Sequence, residues 1–146
     1  MDTQVITKMN IRKPAQEVFE ALVDPDRMSN YWFSSGTHRV GQGKKIIWRY
    51  DEYKAEGEIN VLEVENDKKI VFSWGAQGQE TIVTISLEEL DRAHTLIEVN
   101  ESGLQEDDPE IVHKMMGQKE GWVYMLTCLK GYLENGIVTL RASLVH

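Results

Sequence analysis

Scarcity narrows the possibilities for this 146-residue chain before any motif is read. It has one cysteine, Cys128, so no internal disulfide can form, and a reducing cytoplasm is the expected compartment. No run approaches the roughly 20 apolar residues of a membrane span. The opening MDTQVITKMNIRK lacks the apolar centre and small-residue cleavage site of a signal peptide. Basic residues are outnumbered, 16 Lys and Arg against 24 Asp and Glu, for a net charge of −8. They form no stripe, which argues against nucleic acid and against an anionic membrane surface, since both need clustered cations. There is no repeat, low-complexity tract or Pro/Gly/Ser linker. A single domain over 1–146, with its own core, is therefore expected.

Chemical motifs are missing too. His38, His94, His113 and His146 are scattered, and none has a cysteine, histidine or carboxylate at ligand spacing within its own element. Neither a metal nor a cofactor is expected. No G-x-S-x-G elbow, phosphate loop or dinucleotide glycine pattern occurs, and Gly41-Gln42-Gly43 reads as a turn.

What is present is a clear change of period. Residues 4–12 alternate, with Val5, Thr7, Met9 and Ile11 on one face of a strand. Pro14 then opens a helix whose inward stripe is Val18, Phe19 and Leu22, and Asp24-Pro25 opens a second, short helix to about Trp32. From His38 to Val99 the period is two. Strands are predicted near 37–41, 44–51, 54–65, 68–74, 80–88 and 94–101, joined by compact turns into an antiparallel sheet. Strand 54–65 changes phase, with Ile59 and Val61 on one face and Leu62 and Val64 on the other, so a bulge near Val61 is expected to curve the sheet.

A long helix comes last, capped by Asp108 with Pro109 at its first position and closed by Asn135-Gly136. Its inward row runs Ile111, Met115, Trp122, Leu126, Leu129, Leu133. Two features weaken that row. Gln118 puts a polar group on the apolar side, and Gly121 places a glycine in mid-helix at a cost of roughly 1 kcal/mol against alanine. Either the glycine leaves a gap for a guest, or it lets the helix backbone approach a strand side chain closely. The sequence leaves both open.

The order strand, two short helices, antiparallel sheet, long helix resembles the helix-grip fold, an α+β architecture of the START-like superfamily. Three segments, KPAQEVFEALVDPDRMSNYW (13–32), AEGEINVLEVENDKKIVFSW (55–74) and EGWVYMLTCLKGYLENG (120–136), are similar to the activator of heat-shock protein 90 ATPase homologue family. The resemblance covers residues 4 to about 136. It implies a curved sheet gripping the last helix around a cavity for a small apolar or amphipathic molecule. Sites of that kind need few polar groups.

Under this resemblance the tryptophans, Trp32, Trp48, Trp74 and Trp122, are the expected cavity wall, although ordinary core would account for them equally. Tyr50, Phe72, Met115 and Met125 extend the wall, with Gln118 as its polar contact and Gly121 as its gap. His38, Glu56 and Glu58 are candidate polar groups. The two glutamates share a strand face, and a solvated surface is their simpler reading. A cyclase-type enzyme of the superfamily is the alternative, with Glu56, Glu58, His38 and Arg49 as its testable groups. The family name also raises a chaperone partner. The full activators carry an additional N-terminal domain, so this chain is expected to match only their C-terminal part. After Gly136, IVTLRASLVH has five apolar residues in ten, too many for a solvated tail. It is expected to pack on its own domain or, as a homodimer contact, on a second copy.

Overall fold

The computed structural model describes residues 1–146. Seven strands form one sheet in the order β1-β7-β6-β5-β4-β3-β2, every neighbouring pair antiparallel. They are β1 (Val5–Ile11), β2 (Ser35–Gly36), β3 (Lys45–Tyr50), β4 (Ala55–Glu65), β5 (Lys69–Trp74), β6 (Thr81–Asp91) and β7 (His94–Ser102). Helices α1 (Ala15–Val23) and α2 (Pro25–Met28) follow β1, and α3 (Ile111–Asn135) closes the order.

The alternation read from the sequence sets which face is buried. Val5, Thr7 and Ile11 of β1 face inward, as do Ile46 and Trp48 of β3 and Ile70 and Phe72 of β5. On β7 the inward positions are Thr95, Ile97, Val99 and Glu101. The expected bulge lies between Val61 and Glu63, where one extra residue of β4 opposes β5. A second irregularity breaks the β6–β7 register between Glu89 and Asp91. Bulges of this kind bend the strands that carry them, and the curved sheet wraps α3. One cluster of 27 buried residues joins the sheet's inner face to all three helices.

Four boundaries depart from the sequence reading, each for a local reason. Strand β2 lies at Ser35–Gly36 rather than 37–41. Gly36 crosses directly over Trp48, where an added Cβ would stand 3.0 Å from the ring, and beyond it the Val40 N–H turns away to the Val23 carbonyl. Helix α2 stops at Met28, short of Trp32, because the N–H groups of Tyr31 and Trp32 both converge on the Met28 carbonyl. Pro14 is the N-cap of α1 rather than its first helical residue. Helix α3 begins at Ile111 because Asp108 closes a separate turn ahead of it. Its carboxylate accepts from the Glu110 N–H at 2.8 Å and its carbonyl from the Ile111 N–H at 3.0 Å. The far end closes at Gly136, whose φ of 65° suits a residue without Cβ.

Candidate functional site

The inner face of the sheet carries a group of aromatic rings that meets α3. Trp32, at the end of the α2 turn, lies 5.0 Å from Trp48, 5.6 Å from Trp122 and 6.4 Å from Trp74, centroid to centroid. Trp74 and Trp122 are stacked at 5.4 Å. Phe72 meets both Trp48 and Trp74 edge-on at 5.4 Å. All four tryptophans therefore converge, as do Tyr50 and Phe72. Phe33, next to Trp32 in the sequence, joins them at 4.8 Å from Trp32 and 5.4 Å from Tyr50. Its place directly beside Trp32 in YWF was the available signal for it.

Helix α3 does not fill the space in front of these rings. A Cβ added at Gly117 or at Gly121 would meet nothing within 4 Å. The close-approach reading of Gly121 is thereby excluded: Gly117 and Gly121 are both exposed and face open space at the rim of the aromatic group. Three spaces follow one another along the helix. A cleft of about 500 Å³ has Gly117, Gln118, Trp74, Thr81 and Glu101 in its walls. A chamber of about 100 Å³ is bounded by Trp32, Trp74, Gln118, Gly121 and Trp122. Beyond it lies a pocket of about 190 Å³, with Trp32, Tyr50, Gly121, Tyr124 and Met125 among its walls. Neighbouring spaces share residues, Trp74 and Gln118 between the first two, Trp32 and Gly121 between the last two.

The polar centre of the site is Glu101, only 1% exposed. Its Oε1 accepts from Gln118 Nε2 and from the Trp122 indole N–H, both at 2.8 Å. Its Oε2 accepts from the Thr81 hydroxyl at 2.6 Å and the Trp74 indole N–H at 3.0 Å. A carboxylate has about four lone-pair directions, so every one is used. No lysine, arginine or histidine lies within 4.0 Å of it. The two stacked indoles are thus tied edge-first to one anion. Gln118 turns its amino group to that carboxyl, which leaves the amide oxygen for the cleft.

Glu101 was missed in the sequence, although TLIEVNES places it on the face of Thr95, Ile97 and Val99. Other expected residues fall elsewhere. Met115 lines a separate groove with Val5, Ile6 and Met116, between β1 and α3, because it sits two helical turns from the tryptophans on the flank towards β1. Glu56 and Glu58 are exposed on the outer face of β4. Gly57, not either glutamate, pairs with Trp48, while Glu56 opposes Arg49 and Glu58 reaches Lys45 at 3.8 Å. His38 is exposed, bonded only to the Thr37 hydroxyl at 3.1 Å, and borders none of the three spaces. None of these supplies an acid–base pair to the cavity.

The segment 137–146 packs on its own domain, across the outer end of the third space. Arg141 is its anchor. Its Nε donates to the Trp32 carbonyl at 2.7 Å, its Nη2 reaches the Ser34 hydroxyl at 2.9 Å, and its Nη1 pairs with Glu52. The same guanidinium stands 4.7 Å over the Tyr50 ring. Tyr50, Tyr53 and Tyr124 donate their hydroxyls to the carbonyls of Arg141, Leu144 and Leu140. The Arg141 hydrogen bond, with help from the Glu52 backbone N–H, holds the Glu52 carboxyl down to about 2. Burial raises Tyr50 to about 12, so its hydroxyl keeps the proton it donates.

A curved antiparallel sheet wrapped on one long helix, with two short helices after the first strand, defines the helix-grip class of START-like domains. The chain belongs to the family described as Activator of Hsp90 ATPase homolog 1-like protein, whose model matches residues 12–134. It is similar to the protein SSP2350 from Staphylococcus saprophyticus, with 44% identity over 92% of this chain and 94% of that one, and a TM-score of 0.81. DynU16, a protein in the dynemicin biosynthetic locus, is 24% identical with a TM-score of 0.83. The match covers 97% of this chain and 51% of that one, so this chain spans about half of DynU16. Aha1 from Colwellia psychrerythraea, whose solution structure is a dimer, is 18% identical over 91% of this chain and 97% of that one, with a TM-score of 0.77. The last two likenesses show the fold alone. No curated protein matches the chain, and no helix is long and apolar enough to cross a membrane.

Proposed function

We propose that the domain binds a small amphipathic molecule between the sheet and α3 and releases it unchanged. The observation that carries this reading is the open space beside Gly117 and Gly121, set against Trp32, Trp74 and Trp122, with Trp48 and Phe72 packed behind them as core. An unused helix Cβ position costs stability, and a glycine retained there is explained if the space has an occupant. The polar group offered to that occupant is the Gln118 amide, oriented by Glu101. DynU16 is a protein in the dynemicin biosynthetic locus, and this is in keeping with a small-molecule reading.

The cyclase alternative loses its named groups, since Glu56, Glu58 and His38 stand outside the cavity. A chaperone partner remains a reading of the family description, without a surface that favours it. Pairing of two copies through the tail would have to use the apolar side chains it leaves exposed, Ile137, Val138, Leu140 and Val145. We place the activity in the cytoplasm, where the lone buried Cys128 needs no partner. Native mass spectrometry of freshly purified protein, with tryptophan fluorescence titrations against amphipathic compounds, tests the binding reading. A retained species or a saturable change is expected; the absence of both across a broad panel would overturn it.

A further inference from the structure

We infer that the guest is an organic cation, with an ammonium head seated against Trp32, Trp74 and Trp122 and an apolar body running along α3. The inference rests on the binding reading above and adds to it the charge of the ligand.

Three observations carry it. The first is an uncompensated charge. Glu101 is buried, all four of its partners are neutral, and no basic group lies within ion-pair distance. A carboxylate taken out of water is ordinarily paired or metal-bound, because desolvation costs several kcal/mol. Lys114 borders the same cleft but is committed to Asp108. The second is the ring geometry. The space of about 100 Å³ opens beside three indoles that pack on one another, two stacked at 5.4 Å and the third near edge-on to both at 5.6 and 6.4 Å, so the head rests on the rim of the group, against the half-buried Trp74, and not between the rings. Indole faces attract cations through the ring quadrupole. The third joins the other two. Trp74 and Trp122 both donate their N–H to Glu101. Hydrogen bonding to an anion polarises the donor and pushes electron density into the ring, so the faces become better cation acceptors.

The four donors saturate the carboxylate, so the guest does not bond to it directly. The anion acts through space and through the rings. A neutral head would gain neither effect, and an anionic head would be repelled by Glu101. The chemistry therefore selects against carboxylic lipids as well as for ammonium compounds.

The test is a series with one body and three heads: 4-phenylbutyltrimethylammonium, 4-phenylbutanol and 4-phenylbutyrate. Each is titrated into the full chain by calorimetry at physiological salt, where screening beyond about 8 Å suppresses general attraction to an acidic protein. We expect one-to-one binding of the ammonium compound, at least about tenfold tighter than the alcohol and more than that over the carboxylate. In Glu101→Gln the advantage over the alcohol, read as the ratio of the two affinities within the same variant, should shrink to within about threefold. If the alcohol or the carboxylate binds the unmodified chain as tightly as the ammonium compound, the charge inference is overturned and the binding reading survives. Should none of the three bind while another compound of the amphipathic panel does, the charge inference falls and the binding reading survives; should nothing in the panel bind, both fall. The head-group series on the unmodified chain decides the matter even if the variant fails to fold.

Discussion

Replacing Glu101 by glutamine keeps the shape and removes the charge, so its effect can be worked out bond by bond. One of the two oxygens must become an amino group. If it takes the place of Oε2, the Thr81 hydroxyl can turn to accept, but the Trp74 indole N–H has nothing to donate to. In the other orientation, at Oε1, Gln118 can turn its amide, and the Trp122 indole is left unpaired. Either way one indole N–H loses its acceptor, at roughly 1–3 kcal/mol for a buried donor. The first orientation is the cheaper, because Trp74 borders the open cleft whereas Trp122 is buried. Relief from the cost of burying a charge works in the same direction. A net loss of about 1–2 kcal/mol is expected, and in a chain of this size it lowers the melting temperature by roughly 2–8 °C. Glu101→Ala strands both indoles and leaves a cavity, so its loss should reach about 3 kcal/mol or more. Thermal unfolding followed by near-ultraviolet circular dichroism reads both variants through the tryptophans themselves. A glutamine variant that melts at or above the parent temperature would refute the reasoning. It would show that the carboxylate costs more to bury than its four bonds return.

Other expectations concern the helix and the tail. Gly121→Ala should raise stability by up to about 1 kcal/mol, since the new methyl group meets no atom within 4 Å; a drop in the melting temperature would mean the gap is filled. Gly121→Leu should instead block uptake of any guest, as read in the fluorescence titration. Arg141→Ala removes the contacts to Trp32, Ser34 and Glu52 and should make the tail cleavable by limited proteolysis well before the core. Unchanged cleavage would rule Arg141 out as the anchor. Acid should act on the same contact. The folded-state value of Glu52 is lowered from 4.5 to about 2, so its contribution is complete above 4.5 and is lost as the pH falls towards 2. Protection of the tail amides, taken relative to the intrinsic exchange rate at each pH, should fall over that window, while a tail indifferent to it would place the anchoring elsewhere.

Much of the fold was legible because its signals are local. Alternation set the inner face of every long strand, and the phase change around Val61 located the bulge to the residue. Element ends were less legible. Whether Asp108 caps a helix or closes a turn ahead of one depends on which N–H its carboxylate receives, and both use the same residue types. At the site, the tryptophans could be named because aromatic rings dominate any small core. Gln118 could be seen as a polar break in an apolar stripe. Its partner could not, because the donors around Glu101 come from β5, β6 and α3, between 17 and 27 residues away. A glutamate beside Asn100 and Ser102 reads as the wet end of a strand until those donors are brought round it. Met115 misled for a related reason: helical spacing puts it on the inner side, but α3 lies against both β1 and the aromatic rings, and its flanks serve different neighbours.

The three tyrosines that hold the C-terminal strap grip main-chain oxygens, not side chains. Such a clasp fixes the path of the strap before its composition. Leu140 and Leu144 are then held a second time by their side chains, the first against Gly131 and the second in the wall of the third space. With Arg141 on Trp32 and Ser34 and the His146 ring against Tyr53, the strap is a shutter seated by its backbone and matched to its frame by its side chains.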